Sequence, residues 1–226
     1  MSPRTDTVLE RVERRNVEYS SLPIFEAFRR DLIPAERFRD FFPEQCLTAR
    51  MFQDLIWAAT DIADGPFAAF AKEHRRRDSS HFRWAERDVV EMGFPAVDVE
   101  TMFAYERLGT RLQFARMLAR AEEASDLEKI VILICMEATG NVTLPVLHAY
   151  AVRHGFEKKT VYLGQHHLDI EAGQERQLRA QAEQLASSQD PRLLETVDLV
   201  FDAFIKMVGR GGQRIYGDIL ERMAVS

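Results

Sequence analysis

Cysteine is scarce in this sequence, and neither positive nor negative charge is in large excess. Its 226 residues include only two cysteines, Cys46 and Cys135, too few for a disulfide framework or a cysteine-rich zinc site. The formal net charge is −6, and the basic residues are spread along the chain, which argues against a nucleic-acid partner. We interpret both cysteines as small apolar residues of the core.

Signals for membrane insertion and secretion are also missing. No uninterrupted apolar stretch reaches the roughly 18 to 20 residues that cross a bilayer, and the opening MSPRTDTVLERVERR lacks the apolar centre of a signal peptide. We therefore expect a cytoplasmic protein with no membrane partner. Hydrophobic residues make up 46% of the chain, enough for a core, and no repeat or linker is visible. We expect residues 1–226 to form one domain.

Helix signals dominate and strand signals are nearly absent, so the sequence predicts an all-α protein. Proline and glycine lie where segments should begin or end. Pro145 is expected to kink or break its helix, and the Gly209–Gly212 run to interrupt the last one. The expected helices cover Asp6 or Thr7 to Tyr19, short segments from Pro23 and Pro34, Pro43 to Ala63, Pro66 to Met92, Val99 to Glu123, Asp126 to His154, Lys158 to Ala186, and Pro191 to Met223.

Two of these helices carry polar side chains in the middle of an otherwise apolar stripe. Helical periodicity places three ligand-type side chains on one face of the Pro66–Met92 helix and three on one face of the Lys158–Ala186 helix. The spacing is the same in both. The residues are His74, Asp78 and His81 in the first helix, and His167, Glu171 and Gln174 in the second.

Imidazole and carboxylate groups from facing helices are the usual ligands of di-iron or di-manganese centres in helical bundles. Glu137, in the apolar stretch ICMEATGN, is a natural ligand from a third helix. Buried carboxylates near one another need a cation, a basic partner or protonation. The sequence therefore predicts a metal site, although hydrogen-bonded pairs in a polar core, or stripes that face solvent, would show the same pattern.

At these residues the sequence resembles the haem-oxygenase-like superfamily, and within it the branch of non-haem iron oxidases and oxygenases. The resemblance spans roughly residues 20–185 and lies in DSSHFRWAERDVVEMG, CMEATG and YLGQHHLDIEAGQ, where Trp84 and Asp88 also match the family pattern. It implies a compact haem-oxygenase-like helical bundle. It also implies that one or two non-haem iron ions, with manganese as the alternative, activate O2 for a small-molecule substrate in specialised metabolism or biosynthesis.

The sequence departs from the family pattern at two positions. Gln174 stands where the last ligand is usually histidine, and Ala71 stands seven residues before Asp78, where a glutamate is often found. The expected metal content is therefore two ions, one or none. Haem is disfavoured, because haem-degrading members take their axial histidine from the first helices and no histidine precedes His74.

Two other functions fit the same fold. A thiaminase-like hydrolase would use Cys135 as nucleophile beside Glu137, although residues two apart on a helix point away from each other and apolar surroundings raise a thiol pKa. A binding module that has lost its ligands would have no catalytic function. Dimerisation is compatible with the sequence, but no motif indicates it.

We also expect an apolar pocket beside the ligands that accepts a substrate with a hydrophobic part. Isolated histidines such as His148 and His154 are interpreted as structural or exposed. Glu44 and Gln45 are candidate ligands from the N-terminal helices by position only. The expected pocket wall consists of Phe67, Phe70, Phe82, Trp84 and Met92.

Overall fold

A computed structural model describes residues 6–156, 160–172, 185 and 187–225, and within these ranges it contains helices and no strand. This confirms the all-α prediction. Two short 3-10 turns, Ala35–Phe41 and Tyr105–Arg107, accompany the α-helices. The α-helices are α1 (Val8–Ser20), α2 (Pro23–Arg29), α3 (Phe42–Ala59), α4 (Ala68–Asp78), α5 (His81–Glu91), α6 (Val99–Met102), α7 (Leu108–Glu122), α8 (Asp126–Arg153), α9 (165–172) and α10 (Pro191–Val225).

Several helix ends lie where the sequence places them. Thr7 caps α1 and Ser125 caps α8, each in a reciprocal box with the glutamate three residues later, which satisfies backbone N–H groups at the helix start. Gly65 and Gly93 have φ angles of 95° and 89°, so glycine permits the turn before α4 and the end of α5.

The prediction of one continuous helix from Pro66 to Met92 is wrong. The structure divides it into α4 and α5 at Ser79 and Ser80, and Ser80 has φ −130° and ψ 3°. Serine disfavours a helix interior because its hydroxyl competes for backbone hydrogen bonds. The break lies between Asp78 and His81, so these two side chains belong to different helices.

Two other expected helices are shorter in the structure. The Val99–Glu123 segment contains α6, a 3-10 turn and α7, because Ala104 is extended (φ −53°, ψ 154°). Residues 160–164 are not helical, so α9 begins at 165 rather than near Lys158. Residues 157–159, and the part of this prediction from 173 to 184, lie outside the described residues.

Neither the proline nor the glycine run breaks its helix. Pro145 lies within the 28 residues of α8, and its ring is exposed at the surface of the helix rather than packed in the core. Helix α10 continues through Gly209–Gly212 and departs from helical geometry at Tyr216 instead. A Cβ on Gly212 would lie 3.0 Å from Ile24 Cβ, so this glycine permits close packing of α10 on α2.

Helix α8 is the central element of the described fold. It packs against α1, α2, α3 and α10, while α3 also contacts α4, α5 and α7. One continuous apolar cluster joins these helices, and within it the Phe28 ring contacts Phe38, Tyr150 and Tyr216. Among the described helices α8 alone is long and apolar enough to cross a membrane, but 56% of its most apolar window is buried against the protein. A helix in the core of a protein has the same apolar composition, so the composition of α8 is explained by its packing against the other helices.

Candidate metal centre

The first group of donor atoms joins the end of α4 to the middle of α8. His74 and Asp78 are one turn apart on α4, and His74 Nε2 lies 2.9 Å from Asp78 Oδ2. The same nitrogen lies 3.3 Å from Glu137 Oε1 on α8. The side chains of His74 and Asp78 are only 1% and 3% exposed, so this cluster is formed away from bulk solvent.

The second group joins the start of α5 to α9. His167 and Glu171 are one turn apart, with 2.8 Å between His167 Nε2 and Glu171 Oε1. His81 Nδ1 lies 3.2 Å from His167 Nε2 and 3.7 Å from Glu171 Oε1. This group therefore contains two imidazoles and one carboxylate, contributed by two helices.

The two groups are neighbours. His81 Nδ1 of the second group lies 3.8 Å from Asp78 Oδ1 of the first, and the charge of Glu171 acts on Glu137. The structure thus brings together six of the residues singled out in the sequence: His74, Asp78, His81, Glu137, His167 and Glu171. Four helices contribute them, and none of these six described side chains faces bulk solvent.

The spacing of these atoms suits metal coordination. In each group the three donor atoms lie within 4.8 Å of one another. Two ligands that occupy adjacent positions about 2.1 Å from one octahedral ion lie about 3 Å apart. The shorter separations in both groups are close to this value, so each group has the spacing of a candidate metal site.

Burial and hydrogen bonding change the ionisation of the first group. Burial disfavours the charged imidazole, yet hydrogen bonds to Asp78 and Glu137 raise the pKa of His74 to about 10. Burial and the nearby charge of Glu171 raise the pKa of Glu137 well above its ordinary value. Three carboxylates so close together need positive charge among them or protonation, and both a charged His74 and a bound metal ion would supply positive charge.

The histidines of the second group differ in their ionisation. Burial lowers the pKa of His81. Burial also disfavours a charge on His167, but its hydrogen bond to Glu171 raises its pKa. The Nδ1–H of His167 donates to the backbone carbonyl of Tyr162 at 2.7 Å, so Nε2 is the ring atom that faces Glu171 and His81. A hydrogen bond of this kind orients most metal-binding histidines.

One buried nitrogen of the centre, His81 Nε2, lacks an ordinary partner: it has no hydrogen bond to any part of the chain that the structure describes. Buried polar atoms of a native protein are nearly always hydrogen-bonded. The oxygen and nitrogen donors of the two groups are of the types that bind iron or manganese, so the residues fit a transition-metal ion.

The centre forms one wall of a cavity of about 140 Å³. Asp78, His81, Glu137, His167 and Glu171 line it, and the remaining wall is mainly apolar. A cavity of about 150 Å³ can hold a molecule the size of benzene. The expected pocket beside the ligands is therefore present.

The residues of the cavity wall differ from those that the sequence analysis named. Phe70 packs on His74 and Trp84 stacks on His81, but neither these two nor Phe67, Phe82 and Met92 line the cavity that the described residues form. The apolar wall comes mainly from α2, α3, α8 and α10 instead, and includes Phe25, Phe52, Leu144, Met207 and Tyr216. Periodicity within α4 and α5 could not show which distant helices pack over the site.

The remaining candidates have structural roles or lie elsewhere. Glu44 is held by Thr110 and Arg214, so its carboxylate is committed to that network. Gln45 lines the cavity, and its amide nitrogen donates to Tyr162 Oη at 3.1 Å. Gln174 lies outside the described residues. His148 bonds to the carbonyl of Leu163 and His154 to Asp31, as expected of structural histidines.

Tyr162 and Asp88 position the site without offering a ligand. The ring of Tyr162 lies 4.7 Å from that of His167, and its carbonyl orients the same histidine. Asp88 accepts hydrogen bonds from the backbone N–H groups of Val161 and Leu163. In the sequence, Asp88 was visible only as part of the family pattern and Tyr162 only as the first residue of the matching stretch YLGQHHLDIEAGQ. Neither role was predicted, because a hydrogen bond to a backbone group leaves no pattern of residue types.

The position of Cys135 argues against a thiol nucleophile. Both cysteines are fully buried, and neither lines the cavity as the described residues form it. Burial raises the pKa of Cys46 to about 12 and raises that of Cys135 still further. Cys135 thus has neither the access nor the thiolate character of a nucleophile.

We expect both thiols of the native protein to be unreactive toward a water-soluble disulfide reagent at neutral pH. Denaturation should then release two reactive thiols per chain, because burial is what protects them. The measurement is the absorbance of the released thiol before and after denaturant. Rapid modification of Cys135 in the folded protein would reopen the hydrolase hypothesis.

The helical architecture defines the class of fold, and a comparison with solved structures identifies that fold as haem-oxygenase-like. A crystal structure of a domain of unknown function with a haem-oxygenase-like fold from Shewanella denitrificans matches with a TM-score of 0.66 and 13% sequence identity, over 96% of this chain and 91% of that one. No protein-family model and no curated protein matches the sequence. The similarity supports the fold.

Proposed function

We propose that this protein is a non-haem iron oxidase or oxygenase that uses O2 to oxidise a small molecule with a hydrophobic part. One observation carries the proposal: two adjacent histidine–carboxylate groups form the wall of a mainly apolar cavity. Metal, O2 and substrate could therefore meet in one enclosed space. We further propose that the protein acts in the cytoplasm, without a nucleic-acid or membrane partner.

In this proposal each group holds one metal ion. His74, Asp78 and Glu137 would bind the first ion, and the second would be bound by His81, His167 and Glu171. Ferrous iron suits imidazole and carboxylate donors and supplies the one-electron chemistry that O2 requires, with manganese as the alternative. Haem is not proposed, since the donors form two compact clusters rather than a single axial position.

The chain has three tasks around that centre. Burial of the donor atoms excludes water, which strengthens electrostatic interactions within the site. Tyr162 holds His167 in the tautomer that directs Nε2 toward the other donors. Glu137, whose pKa is raised by burial and by the charge of Glu171, would bind a metal ion as the deprotonated carboxylate, so metal binding would be expected to release a proton.

The direct test is anaerobic titration of the metal-free protein with ferrous iron, followed by measurement of bound iron after removal of unbound ions. We expect at least one tightly bound equivalent and two if both groups are complete. Addition of O2 should then change the absorption spectrum of the bound iron. Absence of iron and manganese binding at micromolar concentrations would leave the binding module as the better reading of this fold.

A further inference from the structure

One stripe of α3 lines the cavity and changes in character along the helix. The residues of the stripe are Gln45, Thr48, Ala49, Phe52 and Ile56, whose spacing places them on one helical face. The later residues of the stripe are apolar, whereas the first two are polar. Gln45 and Thr48 are three residues apart, so their Cβ atoms are neighbours about 5 to 6 Å apart. Both side chains can therefore contact the same group of a bound molecule.

Gln45 has an uncommitted carbonyl oxygen in this wall. Its Nε2 donates a hydrogen bond to Tyr162 Oη at 3.1 Å, which occupies the nitrogen end of the amide. Its Oε1 has no partner within the described part of the chain and, unlike the enclosed Oε1 of Gln53, it retains accessible surface. An amide oxygen is a good hydrogen-bond acceptor. This atom is thus available to a donor on a bound molecule.

Thr48 has an uncommitted hydroxyl one turn further along α3. A threonine within a helix often donates to the carbonyl one turn earlier, as Thr143 and Thr196 do in this protein. The hydroxyl of Thr48 makes no such bond, nor any bond to another residue that the structure describes, and the residue is only partly buried. A hydroxyl group can both donate and accept, so Thr48 can form a second hydrogen bond to the same group as Gln45.

Tyr162 connects this polar pair to the candidate metal centre. Its hydroxyl accepts the hydrogen bond from Gln45, and its ring lies 4.7 Å from the ring of His167. Tyr162 lines the cavity as well, whereas the parts of the wall from α2, α8 and α10 are mainly apolar. The cavity therefore has a polar edge close to the second group of donor atoms.

From this arrangement we infer that Gln45 and Thr48 bind the hydroxyl group of the molecule that occupies the cavity. The hydroxyl donates to Gln45 Oε1 and accepts from Thr48 Oγ1, while the apolar body packs against α2, α8 and α10. This inference deepens the proposed function, on which it rests for the assumption that the occupant is the substrate. It names the substrate class, an alcohol or phenol with a compact apolar body, and places the hydroxyl-bearing end beside the second group.

Calorimetric titration of the metal-free protein with phenol and toluene tests the inference without any enzyme activity. The two probes have similar shapes, and phenol carries a hydroxyl where toluene carries a methyl group. We expect Thr48→Val and Gln45→Leu each to weaken phenol binding about fivefold, through loss of one hydrogen bond, and not to weaken toluene binding. Each variant is compared with the wild type for the same probe, so the hydration of the free probe cancels.

Three further variants separate recognition of the hydroxyl from a general change of the cavity. Thr48→Ser keeps the hydroxyl and should bind phenol nearly as the wild type does. Thr101→Val and Gln213→Leu make matched changes at exposed positions and should alter the binding of neither probe. Unchanged phenol affinity in Thr48→Val or Gln45→Leu, an equal loss for both probes, or no binding of phenol at millimolar concentration would overturn the inference.

Iron binding by the same proteins separates the two proposals. Thr48→Val should bind iron with the stoichiometry of the wild type, because Thr48 belongs to neither group of donor atoms. If the wild type binds no iron but Thr48→Val weakens the binding of phenol alone, the proposed oxidase function fails and the recognition of the hydroxyl stands. If iron binds but the variants do not distinguish the two probes, only the substrate class is wrong.

Discussion

His81→Ala and Glu137→Ala are each expected to lower the affinity for ferrous iron by more than about 100-fold, since even residues that only support metal ligands contribute about 10- to 100-fold. His81 lies between the two groups, within 4 Å of Asp78, His167 and Glu171. Glu137 ties α8 to His74. Loss of either removes a donor atom and leaves the remaining buried charges poorly compensated. The measurement is equilibrium iron binding under anaerobic conditions.

Matched controls separate loss of a ligand from loss of fold. His166→Ala changes an exposed histidine next to His167, and Glu122→Ala changes an exposed glutamate of α7; both should bind iron as the wild type does. Circular dichroism should show the same helix content in all four variants. If His81→Ala and Glu137→Ala bind as well as the wild type, the clusters are a hydrogen-bonded core and the proposed function is wrong.

Asp88→Ala is expected to reduce the free energy of unfolding by about 2 to 4 kcal/mol, because two buried backbone N–H groups lose a charged acceptor. Asp88 is 1% exposed, and its two oxygens accept from Val161 at 2.8 Å and Leu163 at 3.0 Å. The segment it holds includes Tyr162, whose carbonyl orients His167. Iron affinity should therefore fall as well, although Asp88 is not a ligand.

Asp88→Asn and Asp98→Ala test this explanation. Asparagine keeps one acceptor oxygen, so Asp88→Asn should lose less stability than Asp88→Ala. Asp98 only caps the short helix α6 from an exposed position, and its loss should cost about 1 kcal/mol and leave iron affinity unchanged. Urea denaturation measures the stability, and an unaltered midpoint for Asp88→Ala would show that other contacts hold the segment.

The polar positions within the two stripes predicted the candidate ligands. For His81 the prediction assumed one continuous helix with His74 and Asp78, and that assumption was wrong. His74 and Asp78 share a face of α4 as expected, whereas His81 belongs to α5 beyond the break at Ser79 and Ser80. The three side chains still lie close together, because only Ser79 and Ser80 separate the two helices. Periodicity identified the residue types and their approximate spacing, and packing placed their atoms.

The sequence by itself determined the all-helical class, the capped starts of α1 and α8, and the residue types and spacing of the candidate donors, because these depend on local propensity and on apolar periodicity. Only the tertiary structure decided that the donors lie close together away from bulk solvent, which helices close the cavity, that Cys135 does not line it, and that Glu44 is held by Arg214. These facts depend on contacts between residues far apart in the chain. No local pattern records them, because a side chain's partner across the fold leaves its own helical periodicity unchanged.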